Sequence, residues 1–249
     1  RLKYTVERMG LDNFKAELEK RLGFSLAAAR EFKFKTRQDT YGWQQDYKGK
    51  WHYTLFVENG RILGEYLHCF RDLAEKSLVN FCFSNNQNII LTEIAEEHKG
   101  QVQALLDQYN LNNNYSRIRQ NSMACVALNT CPLALAEGQR YLPSLITQIE
   151  GVLATHDLSA EPITIRMTGC PNGCARPYLA EIGFVGKSSG RYNMYLGASP
   201  DGSRLNVVYK ESVNESEILS ELDNLFRQFA KEREANEAFG NFVVRKNII

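Results

Sequence analysis

The stretch Trp51-His52-Tyr53-Thr54-Leu55-Phe56-Val57-Glu58-Asn59-Gly60 sets the architecture. Its first seven residues are rich in aromatic and β-branched side chains, which suit a pleated strand. Asn59-Gly60 is the pair that most readily takes the positive φ angles of a tight hairpin turn. The spacing predicts a β-hairpin that returns through Ile62–Leu63. Beyond it, Phe70, Leu73, Ala74, Ser77 and Leu78 recur at helical intervals. Val79–Phe83 and Ile89–Thr92 read as short strands around Asn85–Asn88, and Ile94–Tyr109 reads as a second helix. The order ββαββα implies a small antiparallel sheet with helices on one face. Asparagine-rich Asn110–Tyr115 breaks both periodicities and marks a boundary, so a second domain is expected from about Arg119.

On the N-terminal side, Leu11–Gly23 reads as a short helix capped by Asp12, striped by Phe14, Leu18 and Leu22, and stopped by Gly23. Residues 24–50 show no period and read as a linker, with a domain entry near residue 45. On the C-terminal side, Pro132–Leu153 reads as a helix bent at Pro143, and Ile163–Met167, Glu181–Val185, Tyr192–Leu196 and Leu205–Tyr209 read as strands. Glu215–Glu234 is a helix whose Ile218, Leu222, Leu225 and Phe229 form one apolar stripe, and Phe242–Arg245 reads as a closing strand. The fold class is α/β of the α+β type.

Composition bounds the function. With 43% hydrophobic and 24% charged residues, the 249-residue chain resembles ordinary globular proteins. A net charge of +1 gives no chain-wide attraction to nucleic acid or anionic lipid, so neither is expected as a partner. No stretch approaches the roughly 20 apolar residues of a membrane-spanning helix. Arg1–Arg8 reads as the interior of a structured segment, which implies a chain beginning inside a longer one.

Four of the six cysteines fall in two tight pairs, Cys125-x5-Cys131 and Cys170-x3-Cys174. That pattern points to metal chemistry in a reducing compartment rather than to a disulfide scaffold, and places the chain in the cytoplasm. Four thiolates are the usual complement of a [4Fe-4S] cluster. Cys131 and Cys170 are each followed by proline, which suits the first turn of a helix and would aim free N–H groups at an anionic cluster. Structural zinc also takes four cysteines, but its pairs are commonly two to four residues apart; a non-catalytic zinc-stapled binding domain is the alternative. Cys69 and Cys82 stand apart and read as buried thiols. His52, His68, His98 and His156 join no motif and read as structural or exposed.

Asn121-Ser122-Met123-Ala124-Cys125, Thr130-Cys131-Pro132-Leu133-Ala134 and Thr168-Gly169-Cys170-Pro171-Asn172-Gly173-Cys174-Ala175-Arg176-Pro177 closely resemble the C-terminal half of the assimilatory sulfite reductase hemoproteins. Leu55–Arg61, Asn86-Gln87-Asn88 and Phe239-Gly240-Asn241-Phe242 extend the resemblance over nearly the whole chain. The resemblance implies the end of an upstream siroheme-binding domain and linker over 1–45, a ferredoxin-like half-domain over 46–118, and a cluster and siroheme domain over 119–249. It further implies six-electron reduction of sulfite to sulfide. The [4Fe-4S] cluster would be held by Cys125, Cys131, Cys170 and Cys174, with Cys174 also bridging to siroheme as the catalytic ligand. Asn172, Gln87, Arg119 and Arg176 are the implied siroheme contacts. Siroheme nitrite reductase is the neighbouring reading, and Asn172-Gly173 with Ala175-Arg176-Pro177 look more like the sulfite enzyme. For the electron donor, Gly186-Lys187 and the Lys231–Glu234 helix end lean toward an NADPH-dependent flavoprotein subunit over ferredoxin.

Overall fold

The computed structural model describes residues 2–32, 34 and 36–249. They form two compact units, divided between Phe34 and residue 35. In the first, α1 (Leu2–Met9) and α2 (Leu11–Leu22) meet at Gly10. Gly10, not Asp12, is the N-cap of α2. The helix stops as expected at Gly23, which adopts φ 74° and donates its N–H to the Glu19 carbonyl.

The second unit opens with an antiparallel sheet. Its strands β1 (Gly42–Gln45), β2 (Trp51–Leu55), β3 (Asn80–Phe83) and β4 (Ile89–Ile94) lie in the order β1-β2-β4-β3. Helices α3 (Glu65–Glu75) and α4 (Lys99–Gln108) complete the expected ββαββα order. The strands present Tyr53, Leu55, Ile89 and Leu91 to Cys69 and Leu73 of α3 and to Val102 and Leu106 of α4, forming one core.

The first hairpin differs from the sequence reading. β2 pairs with β1, which lies in the stretch read as linker, and Ile62–Leu63 forms no strand. Asn59 and Gly60 do take the expected positive φ, 50° and 67°. They form a single 3-10 turn because the Asn59 side chain is committed elsewhere, to the backbone at Ala124 and Gln139. The β3–β4 hairpin forms as read.

The second sheet has the order β5-β6-β7-β8-β9, from β5 (Ser122–Ala124), β6 (Ile165–Thr168), β7 (Ile182–Ser188), β8 (Arg191–Leu196) and β9 (Val207–Val213). The first three are parallel and the last three antiparallel. A short helix α5 (Arg117–Gln120) precedes β5, and the crossover to β6 contains α6 (Leu142–Thr155). With α7 (Glu215–Glu232), α6 covers one face: Leu145, Ile149, Ile218, Leu222 and Phe226 pack on Ile165, Met167 and Phe184. A capping box starts α7, Asn214 and Glu217 exchanging backbone and side-chain hydrogen bonds.

Three expectations fail here. Pro143 begins α6 rather than bending a longer helix, as a ring lacking an N–H suits the first turn. Phe242–Arg245 belongs to the helix α8 (Phe239–Arg245), because Phe239, Phe242 and Val243 have helical spacing and bury one face in the core. Neither Cys131-Pro132 nor Cys170-Pro171 starts a helix; both enter turns. The N–H groups of Leu135 and Ala136 both go to the Gly169 carbonyl, at 2.7 and 3.1 Å, instead of entering a helical ladder. No helix among the described residues is long and apolar enough to cross a membrane.

Candidate metal and cofactor centre

Cys125 directly follows β5, and Cys170 follows β6 after one glycine. The strands are parallel neighbours, Ala124 opposite Met167, so both cysteine loops leave the sheet at the same end. Carboxyl ends of adjacent parallel strands are where open α/β sheets build ligand sites. The Cys125 N–H continues the ladder to the Met167 carbonyl at 3.1 Å, and the Cys125 carbonyl accepts from Gln139 N–H at 2.9 Å, closing the loop that carries Cys131. Within it, Cys131 N–H donates to the Ala127 carbonyl at 2.8 Å.

Two glycines permit this packing. A Cβ on Gly169 would lie 2.7 Å from both the Ala127 Cβ and the Ala136 carbonyl oxygen. One on Gly186 of β7 would lie 2.4 Å from the Gly169 oxygen. The cysteine loops therefore rest backbone against backbone on the sheet, closer than any side chain would allow.

Cys170 is buried, Cys125 and Cys131 are half-buried, and Cys174 is exposed. Gly169 N–H donates to Cys125 Sγ at 3.3 Å. Burial holds the Cys125 thiol above its ordinary pKa; amide hydrogen bonds from Gly169 and Ala127 oppose this, and the charges of Cys174 and Cys170 add to it. Cys131 shares the Cys125 loop, and Cys174 shares the turn that begins at Cys170. Among the described residues no three His, Cys, Asp or Glu side chains are gathered tightly enough to hold one metal ion. A cube takes its four thiolates at four separate corners, a wider spacing than the tetrahedron around a single zinc. Four soft thiols, amide N–H groups turned to sulfur and a side-chain-free cradle at Gly169 suit such a cluster.

The remaining predicted residues take different places. Gln87, at φ 68°, donates from Nε2 to the Ala124 carbonyl at 3.0 Å, and Asn59 Oδ1 accepts from Ala124 N–H at 3.0 Å. β5 is an edge strand, and these two side chains satisfy its open edge one residue before Cys125. Arg119 sits between Glu58 at 2.6 Å and Glu150 at 2.7 Å, an ion-pair bridge from the 3-10 turn after β2 to α6. Arg176, two residues past Cys174, donates from Nη2 to the Asn85 carbonyl and, at 3.0 Å, to Asn86 Oδ1. Asn172 lies exposed in the turn between the second pair of cysteines.

Cys69 is buried as expected, but Cys82 is exposed, because β3 is an edge strand with all four residues open. His52 and His156 pair with Asp46 and Asp223, while His68 is exposed within α3. Sequence reasoning missed Asn59 as an edge partner and Asn86 as the acceptor shared by Arg166 and Arg176. The signal for Asn86 was the three asparagines of Asn85–Asn88; Asn59 stood alone in its turn and gave none.

Residues 44–109 match the model of the nitrite/sulfite reductase ferredoxin-like half domain. The whole chain is 51% identical over 256 residues to the sulfite reductase [NADPH] hemoprotein beta-component of Leptospira biflexa, and 51% identical over 255 residues to that of Bacillus velezensis. This chain is a relative of the sulfite reductase hemoproteins. It spans about half of their length, 46% and 45% of those two. The structure of the Mycobacterium tuberculosis NirA protein overlays 98% of this chain on 47% of its own, with a TM-score of 0.83 and 27% identity. Dissimilatory sulfite reductase I, at 12% identity and a TM-score of 0.57, shares the fold over 95% of this chain and 78% of its own.

Proposed function

We propose that this relative forms the cysteine-bearing part of a sulfite reductase that couples a [4Fe-4S] cluster to a siroheme. The observation that carries this reading is the convergence of both cysteine motifs at one end of the parallel strands, in a chain half identical throughout to hemoprotein beta-components. Cys125, Cys131, Cys170 and Cys174 would hold the cluster, and Cys174, the exposed member, would also serve the siroheme. The bound pair would supply electrons singly until sulfite has taken six and become sulfide.

The chain's own residues set the conditions for that chemistry. Gly169 N–H stabilises charge on Cys125 Sγ. Asn59 and Gln87 hold the end of β5, so the first ligand loop starts from a fixed point. Arg176, anchored by Asn85 and Asn86, keeps a cation beside Cys174 that suits the carboxylates of the macrocycle, and Asn172 adds an amide in the same turn. Arg119 acts through packing instead, since both its charge partners belong to this chain. The name of the relatives includes NADPH, which favours an NADPH-dependent donor over ferredoxin.

The intact protein, reconstituted without oxygen, should bind four irons and four sulfides per chain, show siroheme absorption, and reduce sulfite in preference to nitrite. Cys174→Ser should abolish coupling and turnover, whereas Cys69→Ser should leave both nearly intact. A colourless preparation carrying one zinc, or full activity in Cys174→Ser, would refute the proposal; preferential nitrite turnover would move the chain to the nitrite enzymes.

A further inference from the structure

Alternation along β6 sends Ile165 and Met167 into the helix-covered core and Arg166 to the opposite face. There Arg166 is 4% exposed, an uncommon burial for an arginine without a carboxylate in its hydrogen-bond shell. Its Nη2 donates to Asn86 Oδ1 at 3.1 Å, while its Nε and Nη1 are buried without a partner. Arg37 approaches from the segment before β1. Its Nε and Nη2 donate to the carbonyls of Pro200 and Ser199, and its Nη1 is likewise buried and unpartnered. Arg37 and Arg166 line one cavity of about 20 Å³, beside Asp39, Tyr41, Asn86 and Met123.

We propose that Arg37 and Arg166 hold a single monatomic anion of the halide class in this cavity. A guanidinium offers only donors, and the three unpartnered nitrogens need an acceptor. A water molecule would accept from them but would leave the positive charge of the guanidiniums unbalanced. Asp39 accepts from Ser84, Asn86 and Asn88; Asn86 Oδ1 accepts from both Arg166 and Arg176; the Tyr41 hydroxyl donates to the Gln120 carbonyl and accepts from Asn88. An anion requires donors alone. Its charge also offsets three neighbouring guanidiniums: burial, then Arg176 and Arg37, push the pKa of Arg166 down to about 9, with Asp39 opposing. Size decides the class. A cavity needs about 10–15 Å³ to take one water-sized body, so this one has room for a single monatomic ion. The site adjoins the proposed siroheme contact Arg176 through the shared Asn86 Oδ1, but its own donors, Arg37 and Arg166, belong to neither cysteine loop.

The test is anomalous diffraction from crystals of the intact protein grown in bromide, with melting curves in sodium chloride and in sodium gluconate at equal ionic strength. A bromide peak within hydrogen-bonding distance of Arg37 Nη1 and Arg166 is expected. Chloride should raise Tm by about 3 °C, as for an ion at several times its Kd, and Arg166→Met should lose that rise. A cavity holding only water, or a carboxylate from elsewhere in the protein, would overturn the proposal, as would equal melting in the two salts. If Arg166→Met does not fold, the bromide map of the unsubstituted protein decides alone.

Discussion

The two sheets of this protein use their strands in opposite ways. In the first, all pairings are antiparallel and the helices α3 and α4 cover one face, so β4 alternates between buried Ile89, Leu91 and Ile94 and more open neighbours. In the second, β5 and β6 are buried throughout and paired in parallel, and their ends, rather than their faces, carry the reactive side chains. The difference shows how one chain separates stability from chemistry. The antiparallel sheet, through Asn59, Gln87 and Glu58, holds the edge of a parallel sheet whose loops present the cysteines.

The harshest test of that division removes a core side chain from each sheet. Phe226→Ala, beneath the second sheet, should cost about 3–5 kcal/mol in denaturant unfolding, and Leu73→Ala, beneath the first, about 2–5 kcal/mol. Because side chains bridge the sheets, each variant should still unfold in one transition by both fluorescence and circular dichroism; two separated transitions would show that the sheets are independent. Next, Gly186→Ala places a Cβ against the Gly169 oxygen and should cost about 3 kcal/mol while displacing both cysteine loops. The measurements are Tm and iron content after reconstitution, and unchanged iron content would mean that the glycine cradle does not set the loops.

Asn59→Ala strips the partners from Ala124 N–H and the Gln139 carbonyl, both buried, and should cost about 2 kcal/mol, with faster amide exchange at Ala124. The smallest effect is expected from Glu150→Gln, about 1 kcal/mol, since Arg119 keeps Glu58. Burial alone would raise the Glu150 pKa, but hydrogen bonds from Arg119 and Ser116 and the Arg119 charge outweigh it and hold it below the ordinary value. A depressed carboxylate stabilises the fold at pH above its unfolded pKa of about 4.3, and that stability is lost as pH falls through the lower folded value. Glu150→Gln should flatten this part of the acid unfolding curve; an unchanged curve would remove Arg119 from the bridge between the sheets.

Much of this was legible from the amino-acid order alone. Ile218, Leu222, Leu225 and Phe229 mark α7 because a long surface helix must repeat its buried face at a fixed interval. The β3–β4 hairpin and the ββαββα order follow from similar local rules. The spacing of Cys125, Cys131, Cys170 and Cys174 singled out the candidate centre without any structure, because cysteine chemistry depends on residue type.

What tertiary structure decided lies where local rules compete with distant partners. Asn59-Gly60 took the turn conformation its residues favour, yet closed no hairpin, because the edge of β5 offered the Asn59 side chain a buried backbone pair. Cys82 faces outward since its strand lies at a sheet edge, a position no local pattern encodes. The proline after Cys131 opens a turn instead of a helix, because the Gly169 carbonyl captures the N–H groups of Leu135 and Ala136; the proline after Cys170 also opens a turn, in which Gly173 takes φ 69° and donates to the Cys170 carbonyl. The sequence by itself determined which side chains can do chemistry and which segments repeat a buried face. Parallel pairing of β5 with β6, across a crossover that only the packed core can close, decided that the two cysteine loops leave the sheet at the same end.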